Sequence, residues 1–218
     1  MSKKVSLKLL TSISYILTSI LALYVLVNFD EEYSLKILPT MVVFLACFLK
    51  IKNVDKRILA FFFSIIIADT TIVNLRNFAF GLYFHSLSFL ILCFLSYSFF
   101  KKKVRKEIIN YFLIFLILFL IIFFFTIKDK GDAYISIFIY GISICLATSL
   151  LFTNYLKMMI PANYMLFLAV ATRILSDSIL TVVLFNNYDI YYAVLAYSIY
   201  FVSNYLFYRG FLLKQPNN

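Results

Sequence analysis

Tryptophan is absent from this 218-residue chain, histidine occurs once, and there are only four glycines, three prolines and three cysteines. Each scarcity removes a class of chemistry. One histidine, His85, cannot assemble the several-His ligand set of an intramembrane zinc hydrolase. The few glycines form no phosphate-cradling loop and no nucleophile elbow. Cys47, Cys93 and Cys145 all fall inside apolar runs, so they read as small core hydrophobes rather than a disulfide or metal set. Charge is scarce too: 14% of residues are Asp, Glu, Lys or Arg, with 20 basic against 10 acidic. On a soluble domain a net charge of +10 would point to nucleic acid. Here the basic residues, including the run at 101–106, lie mainly in short loops between apolar runs. There they set topology and meet anionic headgroups, and no nucleic-acid partner is expected.

What the chain has in abundance is apolar surface: 64% of residues are hydrophobic and 20% aromatic. That composition predicts an all-α, multi-pass integral membrane protein. A helix crossing about 30 Å of hydrocarbon needs about 20 residues. Eight spans fit: 6–28, 35–49, 58–75, 78–100, 108–127, 133–152, 163–185 and 190–213. The second is short, with Pro39 suited to a first helical turn, and a re-entrant segment is its alternative. The N-terminal run lacks a small-x-small cleavage site before Asp30, Glu31 and Glu32, which predicts an uncleaved first helix. No soluble domain interrupts the series, so residues 1–218 read as one bundle. Of the basic residues, those at both termini and in alternate loops share one side, and only Lys36, Arg76, Lys128 and Lys130 lie on the other. This bias predicts both termini in the cytoplasm, as in a bacterial inner (plasma) membrane. With no tryptophan, tyrosines near span ends must form any aromatic belt.

Within the apolar runs stand two aspartates in nearly the same frame, in Ile66-Ile67-Ala68-Asp69-Thr70-Thr71-Ile72 and Ile174-Leu175-Ser176-Asp177-Ser178-Ile179-Leu180, about half a chain length apart. A carboxylate in hydrocarbon costs roughly 2.5–3.5 kcal/mol on insertion scales, which makes each a functional-site candidate. Asp69 falls on the third span and Asp177 on the seventh, roughly 9 and 12 Å below their outer ends at 1.5 Å per residue, with His85 roughly 10 Å deep on the fourth. The matching frames point to two four-helix repeats in parallel orientation, 1–105 and 106–218. Ser64, Thr70, Thr71 and Asn74 complete the polar content of the third span. They either line a cavity with Asp69 or merely bond helix carbonyls. Arg173 and Asp177 are four residues apart and can pair, as a structural ion pair or to keep Asp177 ionised. Asp69, flanked by isoleucines, is then the neutral partner, and two carboxyls in unlike surroundings make an acid and a base. His85 is either catalytic or a hydrogen-bonded interior residue.

The residues resemble a known family at this point. Phe63-Ser64-Ile65-Ile66-Ile67-Ala68-Asp69, followed by Asn77-Phe78-Ala79-Phe80-Gly81-Leu82, is similar to the "FSLLGD … FLLGL" signature of the lysoplasmalogenase (YhhN-like) membrane proteins. Ile174-Leu175-Ser176-Asp177-Ser178 resembles the family's "(V/I)SDS" motif, and Tyr200-Phe201-Val202-Ser203-Asn204-Tyr205-Leu206 its last-helix "YxxAQxL". The likeness spans most of the chain, in order and in eight-helix layout. Ala68 stands where the family has Gly, Asn204 where it has Gln, and Arg173 at an apolar position. The family's fourth-helix His falls on Phe89, one turn beyond His85. Only Asp69 and Asp177 carry over cleanly.

The resemblance implies hydrolysis of the vinyl-ether bond of a lysoplasmalogen, a lysophospholipid, to a fatty aldehyde and a glycerophospho-base. No metal or organic cofactor is required. The expected catalytic pair is Asp69 as acid and Asp177 as base, with Ser64, His85, Arg173, Ser176 and Asn204 binding substrate or supporting them. Two rivals stand beside this reading: a small transporter using the aspartates as a proton or cation relay, and a non-catalytic lipid-binding homologue.

Overall fold

A computed structural model of the protein describes residues 3–28, 33–50, 54–73, 77–98, 105–126, 133–185 and 189–214. The described residues are helical almost throughout: α1 Lys3–Asn28, α2 Ile37–Lys50, α3 Lys56–Val73, α4 Phe78–Ser98, α5 Arg105–Thr126, α6 Tyr134–Lys157, α7 Pro161–Phe185 and α8 Ile190–Lys214. A 3-10 turn, Tyr33–Lys36, leads into α2. The eight expected helical segments are all present, each within a few residues of its expected ends.

Six of these helices, α1 and α4 to α8, are long and apolar enough to cross a membrane, which makes this a multi-pass membrane protein. The other two fall short for different reasons. α2 has 14 residues, about 21 Å at 1.5 Å per residue. α3 has 18 residues, three of them charged: Lys56, Arg57 and Asp69. The outside of the bundle is apolar, with Ile13, Ile20, Phe94, Ile117, Phe124 and Phe125 all exposed, whereas Asp69, His85, Arg173, Asn154, Asn163 and Asn204 are buried. That arrangement suits hydrocarbon as solvent.

Consecutive helices pack together within each half, α1 on α2, α2 on α3 and α3 on α4, then α5 on α6, α6 on α7 and α7 on α8. The halves join where α4 packs on α6 and where α8 packs on α2 and α1. α7 with α8 and α3 with α4 form the most extensive pairs. Glycine permits the second of these: a Cβ on Gly81 would lie 2.2 Å from Ile72 Cγ1 and 2.9 Å from the Ala68 carbonyl. At the far end of α6 the chain reverses through Met158, and Asn163 Nδ2 donates to the Asn154 and Met158 carbonyls at 3.0 and 2.7 Å. Pro161 opens α7, where its missing N–H costs nothing. Cys47, Cys93 and Cys145 are buried and free.

Candidate functional site

Asp69 is fully buried, and three elements besides its own α3 supply its partners. Tyr200 on α8 donates its hydroxyl to Asp69 Oδ2 at 2.5 Å. Lys36, at the end of the 3-10 turn, places Nζ 3.2 Å from Oδ1. His85 on α4 brings Nε2 to 3.5 Å from the same oxygen. Asp69 Oδ1 accepts no hydrogen bond of good geometry, so the Lys36 approach is a charge contact and the His85 approach a close polar one. The buried Nδ1 of His85 has no hydrogen-bond partner among the described residues. The α3–α4 approach at Gly81 sets this geometry, since Gly81 and His85 are one turn apart on α4 and Ala68 adjoins Asp69.

Asp177 on α7 is half-buried, and its Oδ2 accepts the Tyr140 hydroxyl from α6. The Tyr140 ring lies edge-on to His85 with centroids 6.0 Å apart. A chain of contacts therefore runs Asp69, His85, Tyr140, Asp177 across α3, α4, α6 and α7. Arg173, one of the largest fully buried side chains, makes no ion pair with Asp177 within 4 Å among the described residues, although the two charges still act on one another. Its Nη2 donates to Asn204 Oδ1 on α8, and its guanidinium lies 3.8 Å from the Tyr200 ring centre. Asn204 Nδ2 in turn donates to Thr40 Oγ1 on α2 at 3.0 Å. Geometry explains the change: the α7–α8 pair is packed so closely that the guanidinium finds the neighbouring helix rather than its own.

Of the residues expected at the site, Asp69, His85, Arg173 and Asn204 belong to one buried network, and Asp177 joins it through Tyr140. Ser64 and Ser176 do not. Ser64 donates to its own helix at Ala60 O, 2.8 Å, and Thr70 and Thr71 back-bond in the same way. Ser176 bridges α7 to the Ala196 carbonyl on α8 at 2.7 Å, a packing contact. Asn74 lies outside the described residues. Three members of the network escaped the sequence reading: Lys36, Tyr140 and Tyr200. Tyr200 heads the last-helix motif, and a tyrosine deep in a span needs a hydrogen-bond partner. Lys36 was counted as a topology charge.

A narrow cleft of about 10 Å³ lies between α1 and α8, lined by Ala22, Leu23, Leu26, Tyr197 and Phe201 together with Lys36. Among the described residues no three His, Cys, Asp or Glu side chains converge as a metal site would require. The protein matches no family model, no curated protein and no solved structure.

Proposed function

We propose that the protein is a divergent, lysoplasmalogenase-like (YhhN-like) membrane hydrolase that cleaves the vinyl-ether bond of a lysoplasmalogen by paired-carboxyl acid–base catalysis. One observation carries this reading: two carboxyls on apolar helices sit in unlike surroundings, Asp69 beside Lys36 and Asp177 beside Tyr140, and are linked by the edge contact of the Tyr140 ring with His85. Vinyl-ether hydrolysis needs that pair. An acid protonates the β-carbon, making an oxocarbenium ion on the ether oxygen side. Water adds to the α-carbon, the one bonded to the ether oxygen, as a base takes its proton, and the hemiacetal collapses to an aldehyde and the glycerol hydroxyl, its O–H proton passing to the leaving oxygen. The net change is one water consumed. The logic parallels glycoside hydrolysis by two carboxyls.

The surroundings favour roles opposite to those expected from the sequence. Asp69, with an ammonium at 3.2 Å, suits the carboxylate that stabilises the cation and takes the water proton. Asp177 has a tyrosine hydroxyl instead of a paired cation and is half-buried, so it suits the acid. In this reading all eight helices cross or enter the bilayer as two parallel four-helix repeats. α4 on α6 matches α8 on α2 under that exchange of halves. The charge bias puts both termini in the cytoplasm, which a C-terminal reporter fusion checks.

The test is aldehyde release from a lysoplasmalogen by purified protein. Asp69→Asn and Asp177→Asn should each reduce release at least about 100-fold, the scale of a lost acid or base. Undiminished release in both would defeat the mechanism. The small cleft favours a second reading, a proton or cation relay through the same network. That reading requires wild-type proteoliposomes to dissipate a pH gradient and Asp69→Asn proteoliposomes to hold it.

A further inference from the structure

α6 and α7 are consecutive antiparallel helices of 24 and 25 residues, yet they pack on each other far less extensively than α7 packs on α8. Helices that leave a tight turn and share so little surface diverge from it. Near the turn they are joined. Asn163 Nδ2 donates to the Asn154 and Met158 carbonyls, and the Phe167 ring stacks on Tyr155 at 5.7 Å and lies 5.1 Å from Phe152, centre to centre. Tyr140 and Asp177 each stand 14 residues from those asparagines, about 21 Å further along at 1.5 Å per residue. There the Tyr140 hydroxyl donates to Asp177 Oδ2.

Each wall of this seam is firmly attached elsewhere. α7 is locked to α8: a Cβ on Gly210 would lie 2.7 Å from Leu166 Cδ2, and Ser176 and Ser203 donate across to the Ala196 and Ala169 carbonyls at 2.7 and 2.8 Å. α6 packs on α4 and on α5, whose Phe119 ring fills the space beside Gly141. Among the described residues the backbones of α3 and α4 do not run closely along α7 or α8. α3 meets α8 through the rings of Phe61, Phe207 and Phe211, again toward the turn end. The seam thus has close contacts at one end and a hydrogen bond at the other. An O–H···O bond holds only to about 3.0 Å, so a small tilt undoes it. Asp177, moreover, is half-buried where Asp69 is fully buried. Exposed Ile135 and Ile139 on α6 and Leu175 and Val182 on α7 make the outer surface around the seam apolar.

We propose that the α6–α7 seam is a lateral gate facing the bilayer, pivoting at the Met158–Pro161 turn and held shut by the Tyr140–Asp177 hydrogen bond, and that it admits the hydrocarbon chain of a single-chain lipid. The lipid as passenger rests on the hydrolase reading above, whereas the gate itself does not. Such a gate supplies what that reading needs, because Asp69 is closed off and the cleft beside Lys36 has room for about one water. Opening moves α7 with α8 away from α6 with α4 and α5, in the manner of a hinged domain.

Spin-label distances in nanodiscs test it. With Cys47, Cys93 and Cys145 replaced by alanine, one label pair is attached through Ile135→Cys and Leu184→Cys, across the open end of the seam. A second pair, through Leu156→Cys and Leu213→Cys, reports the turn end; all four positions are exposed. Tyr140→Phe and Asp177→Leu should each add a population in which the 135–184 distance is longer by about 5 Å. That is the travel of Leu184, roughly 32 Å from Asn163, in a tilt of about 10°. The 156–213 distance should stay as in the parent protein. Unchanged 135–184 distances in both variants overturn the proposal, and so does an equal lengthening of both pairs, which is a loosened bundle rather than a gate. Amide exchange on the protein with its native cysteines repeats the comparison without labels. Tyr140→Phe should quicken exchange over residues 134–140 and 177–185 and leave 150–167 unchanged; quickening spread evenly over all three stretches, or none, overturns the gate. No lipid substrate enters these measurements, so opening and aldehyde release fail separately.

Discussion

Lys36, Arg173 and Asp69 are buried in the bundle, and Asp177 is half-buried. Such a set is stable only while each member keeps its partner, because an uncompensated buried charge costs about 3–5 kcal/mol. Asn204→Leu removes the acceptor of the buried Arg173 guanidinium and should lower stability by about that amount, read as a fall in unfolding free energy or Tm. Tyr200→Phe removes one donor to a carboxylate and should cost less, about 1.5–3 kcal/mol. If the two variants lose equal stability, the guanidinium is not held as described. The aspartates and His85 were legible in the sequence because an ionisable residue inside an apolar run has no cheap explanation. Lys36 was not, since a lysine between two spans already has one as a topology charge. Tyr140 and Tyr200 were hidden by number in a chain that is 20% aromatic. For Ser64 the sequence leaves both readings open, because a hydroxyl facing its own helix and one facing a cavity look alike there.

At the scale of helices, two joints position the network. Gly81 lets α4 approach α3, and Gly81→Ala would put a methyl 2.9 Å from the Ala68 carbonyl, where backbone has to shift. Overpacking of this kind costs typically about 1–3 kcal/mol. Because the strain falls beside Asp69, the variant should also lose activity, whereas the exposed Ile117→Leu should not, in a side-by-side assay of both. The start of α3 is set by Asp55, whose Oδ1 accepts the Arg57 backbone N–H at 2.9 Å as an N-cap. The Arg57 side chain also bonds this carboxylate and holds it below the usual range. A depressed native value means the stabilisation is full above the unfolded value, about pH 4, and fades as pH falls through and below it. Asp55→Ala should therefore cost about 1 kcal/mol at pH 7 and progressively less as the pH is taken below about 4, measured as the wild-type-minus-variant difference in Tm at each pH. The eight helices were legible from hydrophobic run length. The 3-10 turn was not, because four residues carry no periodicity, and it is the element that delivers Lys36.

The outer surface of the described bundle is apolar like its core, unlike that of a water-soluble domain, and α5 shows it most plainly. Of its residues only Ile108 and Phe123 are buried. A charge placed at mid-height on its outer face meets lipid, so Ile117→Asp, at a position 57% exposed, should raise the insertion cost by about 2.5–3.5 kcal/mol. A glycosylation-tagged or protease-protection insertion assay reads that as a drop in the inserted fraction, whereas Ile117→Leu should insert normally. Asp69 escapes the same penalty because its neighbours on other helices compensate it, and those neighbours are synthesised at different times. Lys36 leaves the ribosome shortly before Asp69, so this pair can meet as soon as α2 and α3 are in place. Arg173 must wait for Asn204, and Asp69 for the Tyr200 hydroxyl, both on the last helix. Assembly of the charge cluster is thus scheduled by the order of translation: the first half can shelter its own carboxylate, while the second enters the bilayer with Arg173 awaiting α8. A chain truncated before α8 should consequently be a target for membrane quality control, and one carrying Asn204→Leu should share part of that fate at full length.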